Sequence, residues 1–413
     1  MLEAARTLLR QNDRGGYTIP AEGLYPFQWL WDSGFTALGW ATFAPERAWL
    51  ELKTLFLGQW ENGFLPHIVF HREAPSYFPG PEVWGVDRRP QTSGLTQPPF
   101  LAPVVLHLLA ADPDRPRALE EARGLYPKLL AFHRFLHHHR DPQGTGLVAV
   151  LHPWETGMDN SPAWDLALAQ VPQGPLPPFR RRDLEHVPPS ERPRAEDYRR
   201  YLYLLLHYRK LGYDPEASYR EAPFLVADVG FNALLLYGDE ALMRLAQALG
   251  EDPQEPGAWL ERGLKALESL WDEGAGLYRS WDLRRGEAIA QDTASGLLPL
   301  LLPLPQARVV RLHQKMAHFT QGARHLLPTV PPRDPAFEAR RYWRGPVWAP
   351  VNYLLAQGFR RHGLEREAHL LESHLLELVE GQGFREYYDP LTGEGLGGRG
   401  FSWTAALYLA LKA

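Results

Sequence analysis

Apolar residues recur along most of this chain at helical spacing, in runs separated by short turns and by loops dense in aromatic residues. Over 45–60, Ala48, Leu52, Leu55 and Phe56 fall at i, i+4, i+7 and i+8 behind Pro45 in first-turn position, which predicts an amphipathic helix stopping at Glu61-Asn62-Gly63. Similar patterns predict helices before the Gly15-Gly16 break, at about 99–111, over 117–140 with a kink at Pro127, and at 197–211, 226–237, 239–249 and 256–271. Another is expected at 364–379 and a last one after Thr404, while Arg340 to Trp348 opens a further helix. The stretch 25–34, YPFQWLWDSG, fits a strand that would bury Trp29 and Trp31 on one face. Those indoles belong either to the core or to the wall of a site, and the neighbouring acid Asp32 requires a partner in both cases.

Three turns echo one another: Asp141 to Leu147, Asp272 to Leu277 and Asp389 to Leu396 each combine an Asp, two Gly and a Leu, and the first two follow predicted helices. Recurrent turns of this kind suggest helical hairpins repeated around the chain. About ten to twelve helices with few alternating segments predict an all-α fold, a closed (α/α)6 toroid that gathers its aromatic- and Pro-rich loops at one end. A βα barrel would need eight strands that the pattern does not supply. A single domain over 1–413 is expected, broken by an irregular Pro- and Arg-rich excursion at about 170–197.

Composition narrows the chemistry. Zero cysteines remove disulfides, thiolate metal sites and a cysteine nucleophile, leaving carboxylates, histidines and hydroxyls. With 44 basic and 49 acidic residues intermixed, net −5, no basic face argues for nucleic acid. The absence of an apolar run of membrane-spanning length, and an N-terminus carrying acids and arginines, predict neither membrane partner nor leader and place the protein in the cytoplasm. Only six lysines and five asparagines beside 38 prolines suit a heat-adapted protein, although a GC-rich genome would bias codons the same way.

The segment 151–165, LHPWETGMDNSPAWD, sets three carboxylates and two tryptophans among turn residues that interrupt any regular element. Indole faces cover the C–H faces of a sugar while carboxylates accept its hydroxyl hydrogens, so the stretch reads as the floor of a site for a polyhydroxylated ligand. The competing reading is structural, with Asp159 or Asn160 capping a helix that begins near Ser161-Pro162. A second segment of acid between aromatics, GFREYYD at 383–389, could supply the other carboxyl that glycoside hydrolysis needs. A non-catalytic sugar-binding protein would not need both.

The histidines offer less. His67 and His71 are four apart but have no third ligand in view, so His67 is expected to hydrogen-bond from a loop and no metal is expected. His137, His138 and His139 point in different directions and are expected at a solvated helix end. For a toroidal isomerase, His152 is the one good acid–base candidate.

ETGMDNSPAWD, RRYWRGPVW, FREYYDPLTG and GFSWT, in that order, resemble the motifs of glycoside hydrolase family 63, over about 25–404; similar segments occur in the related trehalases. The compact length resembles the family's bacterial branch acting on mannose or glucose linked to glycerate, and which hexose is preferred stays open. The resemblance implies an inverting glycosidase with a small-molecule glycoside substrate and no cofactor. It implies Asp159 as general acid and Glu386 as general base, with sugar contacts from Tyr25, Trp29, Trp31, Asp32 and Trp154. Tyr342, Trp343, Trp348 and Trp403 would form the later wall. For the glycerate carboxylate it points to Arg192 and Tyr198, then Tyr77, His67 and Gln97, and arginine's planar fork suits such a group. Glu155 and Asp165 are left as supporting acids. No sequence feature sets an oligomeric state.

Overall fold

A computed structural model describes all residues from Met1 to Ala413. In chain order the α-helices are α1 (Leu2–Asn12), α2 (Leu30–Ala41), α3 (Pro45–Leu55), α4 (Pro81–Trp84), α5 (Leu101–Ala111), α6 (Arg115–His139) and α7 (Asp165–Ala169). They continue with α8 (Ala195–Lys210), α9 (Pro215–Glu221), α10 (Val229–Leu249), α11 (Gln254–Leu267), α12 (Gln306–Thr320), α13 (Ala349–Arg361), α14 (Glu365–Gln382) and α15 (Ser402–Lys412). The strands are short and form four small antiparallel sheets, so the protein is helix-rich. No helix is long and apolar enough to cross a membrane.

Packing follows from how much of each helix is apolar. α2 is buried from Leu30 to Trp40, α15 from Ser402 to Leu409, and the 3-10 segment Ala294–Leu301 along its whole length. Elements apolar all round need neighbours on every side. α2 touches α5, α5 touches α10, α10 touches Ala294–Leu301, that segment touches α13, α13 touches α15, and α15 returns to α2. Each member of this closed circuit also packs on one helix with a single apolar stripe: α3 on α2, α6 on α5, α11 on α10, α12 on Ala294–Leu301, α14 on α13 and α1 on α15. In α14 the stripe is Ala368, Leu371, Leu375, Leu378 and Val379. Where α2 crosses α15 the backbones approach so closely that a Cβ on Gly39 would lie 2.4 Å from Ala406 Cα. One contiguous cluster of 114 buried apolar residues runs from Ala5 to Leu409.

Three expectations need correction. Residues 25–34 are not a strand: only Gln28–Trp29 pairs, with Ile68–Phe70, and α2 begins at Leu30. An inner helix shows no 3.6-residue contrast, which hid it. Helices expected at 226–237 and 239–249 are one helix, α10, passing through Gly238. His137 is not solvated. It is buried four residues after His133, and the two rings bond the two oxygens of buried Asp239 at 2.9 and 2.7 Å.

The three echoing turns share a physical device. Asp141 accepts from the Thr145 and Gly146 amides, Asp272 from Ala275, and Asp389 from Leu391 and Thr392. The last of these turns joins strand Arg385–Tyr388 to Gly395–Arg399, and so holds Glu386 in place.

Candidate active site

The starts of α2 and α15, together with the loops before α5, α8 and α13, form the walls of an open-mouthed pocket. Its wall includes Tyr25, Trp29, Trp31, Asp32, His67, Tyr77, Gln97, Trp154, Asp159, Arg192, Tyr198, Tyr342, Trp343, Glu386 and Trp403. Trp348 is the one expected wall residue that lies elsewhere. It is fully buried one layer behind, stacked face to face on Trp343 with centroids 3.6 Å apart, and it donates through Nε1 to the Tyr342 carbonyl. Trp348 therefore fixes two wall residues without touching the cavity. Tyr342 is held at φ +48°, a conformation rare for a tyrosine, which no sequence pattern announces.

The opening segment folds around its turn residues. Pro153–Thr156 is a single 3-10 turn, Gly157 reverses the chain at φ +73°, and Ser161, not Asp159 or Asn160, caps the turn at Pro162–Trp164. A Cβ at Gly157 would sit 2.8 Å from the Trp31 ring, so the chain can pass that indole only as glycine. Asn160 instead accepts from the Trp343 amide at 2.9 Å, tying this segment to the later wall. Tyr201 holds the Asp159 carbonyl at 2.9 Å, leaving the carboxyl to the pocket.

The three acids of this segment separate by environment. Glu155 is fully buried, bridged at 2.7 and 2.8 Å by Arg140 and capped by the Thr96 and Leu151 amides, which makes it a strut. Asp165 forms a bidentate pair with Arg344 outside the cavity. Asp159 alone opens onto the pocket. Burial raises its pKa to about 7, the Arg192 charge opposes the rise, and the Glu386 charge adds to it.

Glu386 is only 1% exposed, on the strand after α14. Its Oε1 accepts from the Tyr25 hydroxyl at 3.0 Å and its Oε2 from the Gly398 amide at 2.8 Å. Arg192 lies over both oxygens at 3.3 and 3.4 Å, donates to Tyr25 at 2.7 Å and to Asp183 at 3.3 Å, and stacks 4.3 Å above the Tyr342 ring. Burial lifts the Glu386 pKa above the ordinary glutamate value; Arg192, Gly398 and Tyr25 pull it back. Asp32, in the first turn of α2, is pushed well up by burial and by the charges of Glu386 and Asp159, and no other side chain bonds its carboxyl. Asp32, Asp159 and Glu386 thus line one pocket, with the buried Arg192 guanidinium against Glu386.

His67 is buried with Nδ1 beside Ser93 Oγ and the Leu95 carbonyl, and burial lowers its pKa to about 3, so it is neutral. His152 is outside the cavity, its ring bonded to the Tyr201 carbonyl and the Trp154 amide, which removes it as an acid–base group at the pocket. The sequence reading missed Asp183, Arg182 and His186, which bring the 170–197 excursion to the mouth, and Phe401 at the start of α15. Asp183 could have been suspected as an acid inside a run of arginines, where it needs one of them as a partner.

An acid with pKa near neutrality, a second carboxylate under a guanidinium and walls of indole are the parts of a glycoside-cleaving site. Over residues 25–404 the chain matches the family described as the mannosylglycerate hydrolase MGH1-like glycoside hydrolase domain, and it belongs to that family. It is 56% identical over 406 residues to the mannosylglycerate hydrolase of Thermus thermophilus, covering 97% of this chain and 98% of that protein. It is 37% identical over 435 residues to the glucosylglycerate hydrolase of Mycolicibacterium hassiacum, covering 98% and 96%. A crystal structure of the GH63 mannosylglycerate hydrolase from Thermus thermophilus with Tris and D-glycerate superposes with a TM-score of 0.98 at 56% identity over 100% of both chains.

Proposed function

We propose that this glycoside hydrolase cleaves the α-glycosidic bond of 2-O-α-mannosylglycerate, with glucosylglycerate as a second substrate, releasing the free hexose and glycerate. The closed circuit of six inner elements, each backed by one outer helix, supports an (α/α)6 toroid folded as one domain over 1–413, with the site at the end where its aromatic loops gather. The observation that carries the reading is one pocket holding Asp159, poised near pH 7, and Glu386, kept beneath Arg192.

Asp159, protonated, gives its proton to the glycosidic oxygen as the bond to the anomeric carbon breaks. Glu386, ionised, takes a proton from the water attacking the opposite face, and the configuration inverts. Asp32 and the unpaired indole N–H of Trp403 would serve sugar hydroxyls. Arg192 is the buried cation on the wall that a glycerate carboxylate would meet, with Tyr198 and Tyr77 on the same wall and Arg182 at the mouth. Turnover of mannosylglycerate, glucosylglycerate, trehalose and an uncharged α-mannoside tests the proposal. The glycerate-linked sugars should exceed the others in kcat/KM by at least about tenfold, the worth of one charged hydrogen bond, and equal turnover of the uncharged glycosides would overturn it.

A further inference from the structure

Away from the pocket, the loop after α12 meets α14 and the turn that follows the Glu386 strand. One ring nitrogen each from His325 and His374 and a carboxylate oxygen of Glu377 lie within 4.8 Å of one another. His374 and Glu377 are three apart on α14, which puts them on one face, and His325 reaches them from the loop. His325 is only 6% exposed, and its Nδ1 and that of His374 are buried without any hydrogen-bond partner. Two buried imidazole nitrogens left without partners are costly unless something binds them.

We infer that His325, His374 and Glu377 form a binding site for one divalent transition-metal ion of the zinc type. Two imidazoles and a carboxylate suit Zn²⁺, with water in the fourth position of a tetrahedron. Ligands on such an ion sit about 3.3 Å apart, so the cluster must contract modestly; Glu377 is exposed and His374 half-buried, and both can turn inward. The ring of His325 is already packed in place, since a Cβ on Gly393 would come within 2.7 Å of its Nε2. The Arg324 and His325 amides both donate to the Pro390 carbonyl at 2.9 Å. A metal here would clamp α14 to the loop after α12, whose amides hold Pro390 of the 389–394 turn, and so brace the hairpin holding Glu386 from outside.

The test is titration of chelator-treated, full-length protein with Zn²⁺ by calorimetry, and with Co²⁺ by visible absorption. One equivalent of Zn²⁺ should bind per chain, raise the melting temperature, and give a tetrahedral Co²⁺ spectrum that Zn²⁺ displaces. His374→Ala and Glu377→Gln, both at accessible positions, should each weaken binding at least tenfold while folding normally, whereas His313→Ala on α12 should leave it unchanged. Absence of stoichiometric binding, or binding that survives both substitutions, would overturn the inference.

Discussion

Nη1 of Arg192 lies 3.3 and 3.4 Å from the two carboxylate oxygens of Glu386, a long and shared contact with a buried carboxylate whose shorter bonds come from Tyr25 and the Gly398 amide. The arginine's Nη2 donates to Tyr25 and its Nε to Asp183. A glycerate carboxylate arriving in the pocket competes for a guanidinium that is already engaged. The contact it would most readily displace is the long one to Glu386.

Arg192 therefore has two effects that can be measured apart. Arg192→Lys keeps the charge and loses the planar fork, so kcat/KM for mannosylglycerate should fall by about 10–100-fold, the worth of one or two charged hydrogen bonds. An aryl α-mannoside without the carboxylate should lose less. Arg192→Ala also removes the charge that pulls the Glu386 pKa down, so the acidic limb of the rate profile should move to higher pH.

The pH profile of kcat/KM follows from opposite requirements on two raised pKa values. As the proposed acid, Asp159 must be protonated, so activity should fall as pH rises through about 7. As the proposed base, Glu386 must be ionised, so activity should fall as pH drops toward its own pKa, which lies above the ordinary glutamate value. A bell with its alkaline limb near 7 is expected. Asp159→Asn and Glu386→Gln should each lower kcat by about 10²–10⁴-fold while circular dichroism and substrate binding stay near wild type. Because the folded Asp159 carboxyl has the higher pKa, its ionisation costs stability as pH rises from about 4 through 7. The asparagine variant should therefore melt higher than wild type at pH 8, with the difference vanishing below pH 4.

Asp239 tests the buried triad without touching the pocket. Its pKa is held low: burial raises it, but the charges and hydrogen bonds of His137 and His133 outweigh that. The contribution is present above the ordinary aspartate value and is lost as pH falls through the lowered one. Asp239→Asn should cost about 3 kcal/mol at pH 7, read by denaturant unfolding, and leave kcat within about twofold.

Gly157→Ala should disturb the site through its neighbour. The added Cβ meets the Trp31 ring at 2.8 Å and needs φ +73°. The expected loss is about 1–3 kcal/mol in stability, with kcat/KM reduced as Trp31 and the adjoining Asp159 loop shift.

Helices with one apolar stripe were legible in the sequence, α3 and α14 among them, because contrast between faces produces the periodicity. The inner helix α2 was not, since a segment buried on all sides has no polar face, and YPFQWLWDSG read as a strand. The two segments of acid among aromatics stood out, but Asp159 and Glu386 were singled out within them only by the family resemblance, because Glu155 and Asp165 share the same surroundings and serve packing through Arg140 and Arg344. His137 was misplaced because its partner Asp239 is distant in sequence, although the spacing to His133 was available. Trp348 could not be told from Trp343 by pattern: both lie in RRYWRGPVW, and only the three-dimensional stack sets one at the cavity and the other behind it.

Proton NMR of a mannosylglycerate digest in its first minutes, before mutarotation, tests the central claim most directly. A water activated by Glu386 on the face opposite the Asp159 proton donor predicts β-mannose as the first product. If α-mannose appears first, the configuration is retained, and the pairing of Asp159 as acid with Glu386 as base is wrong.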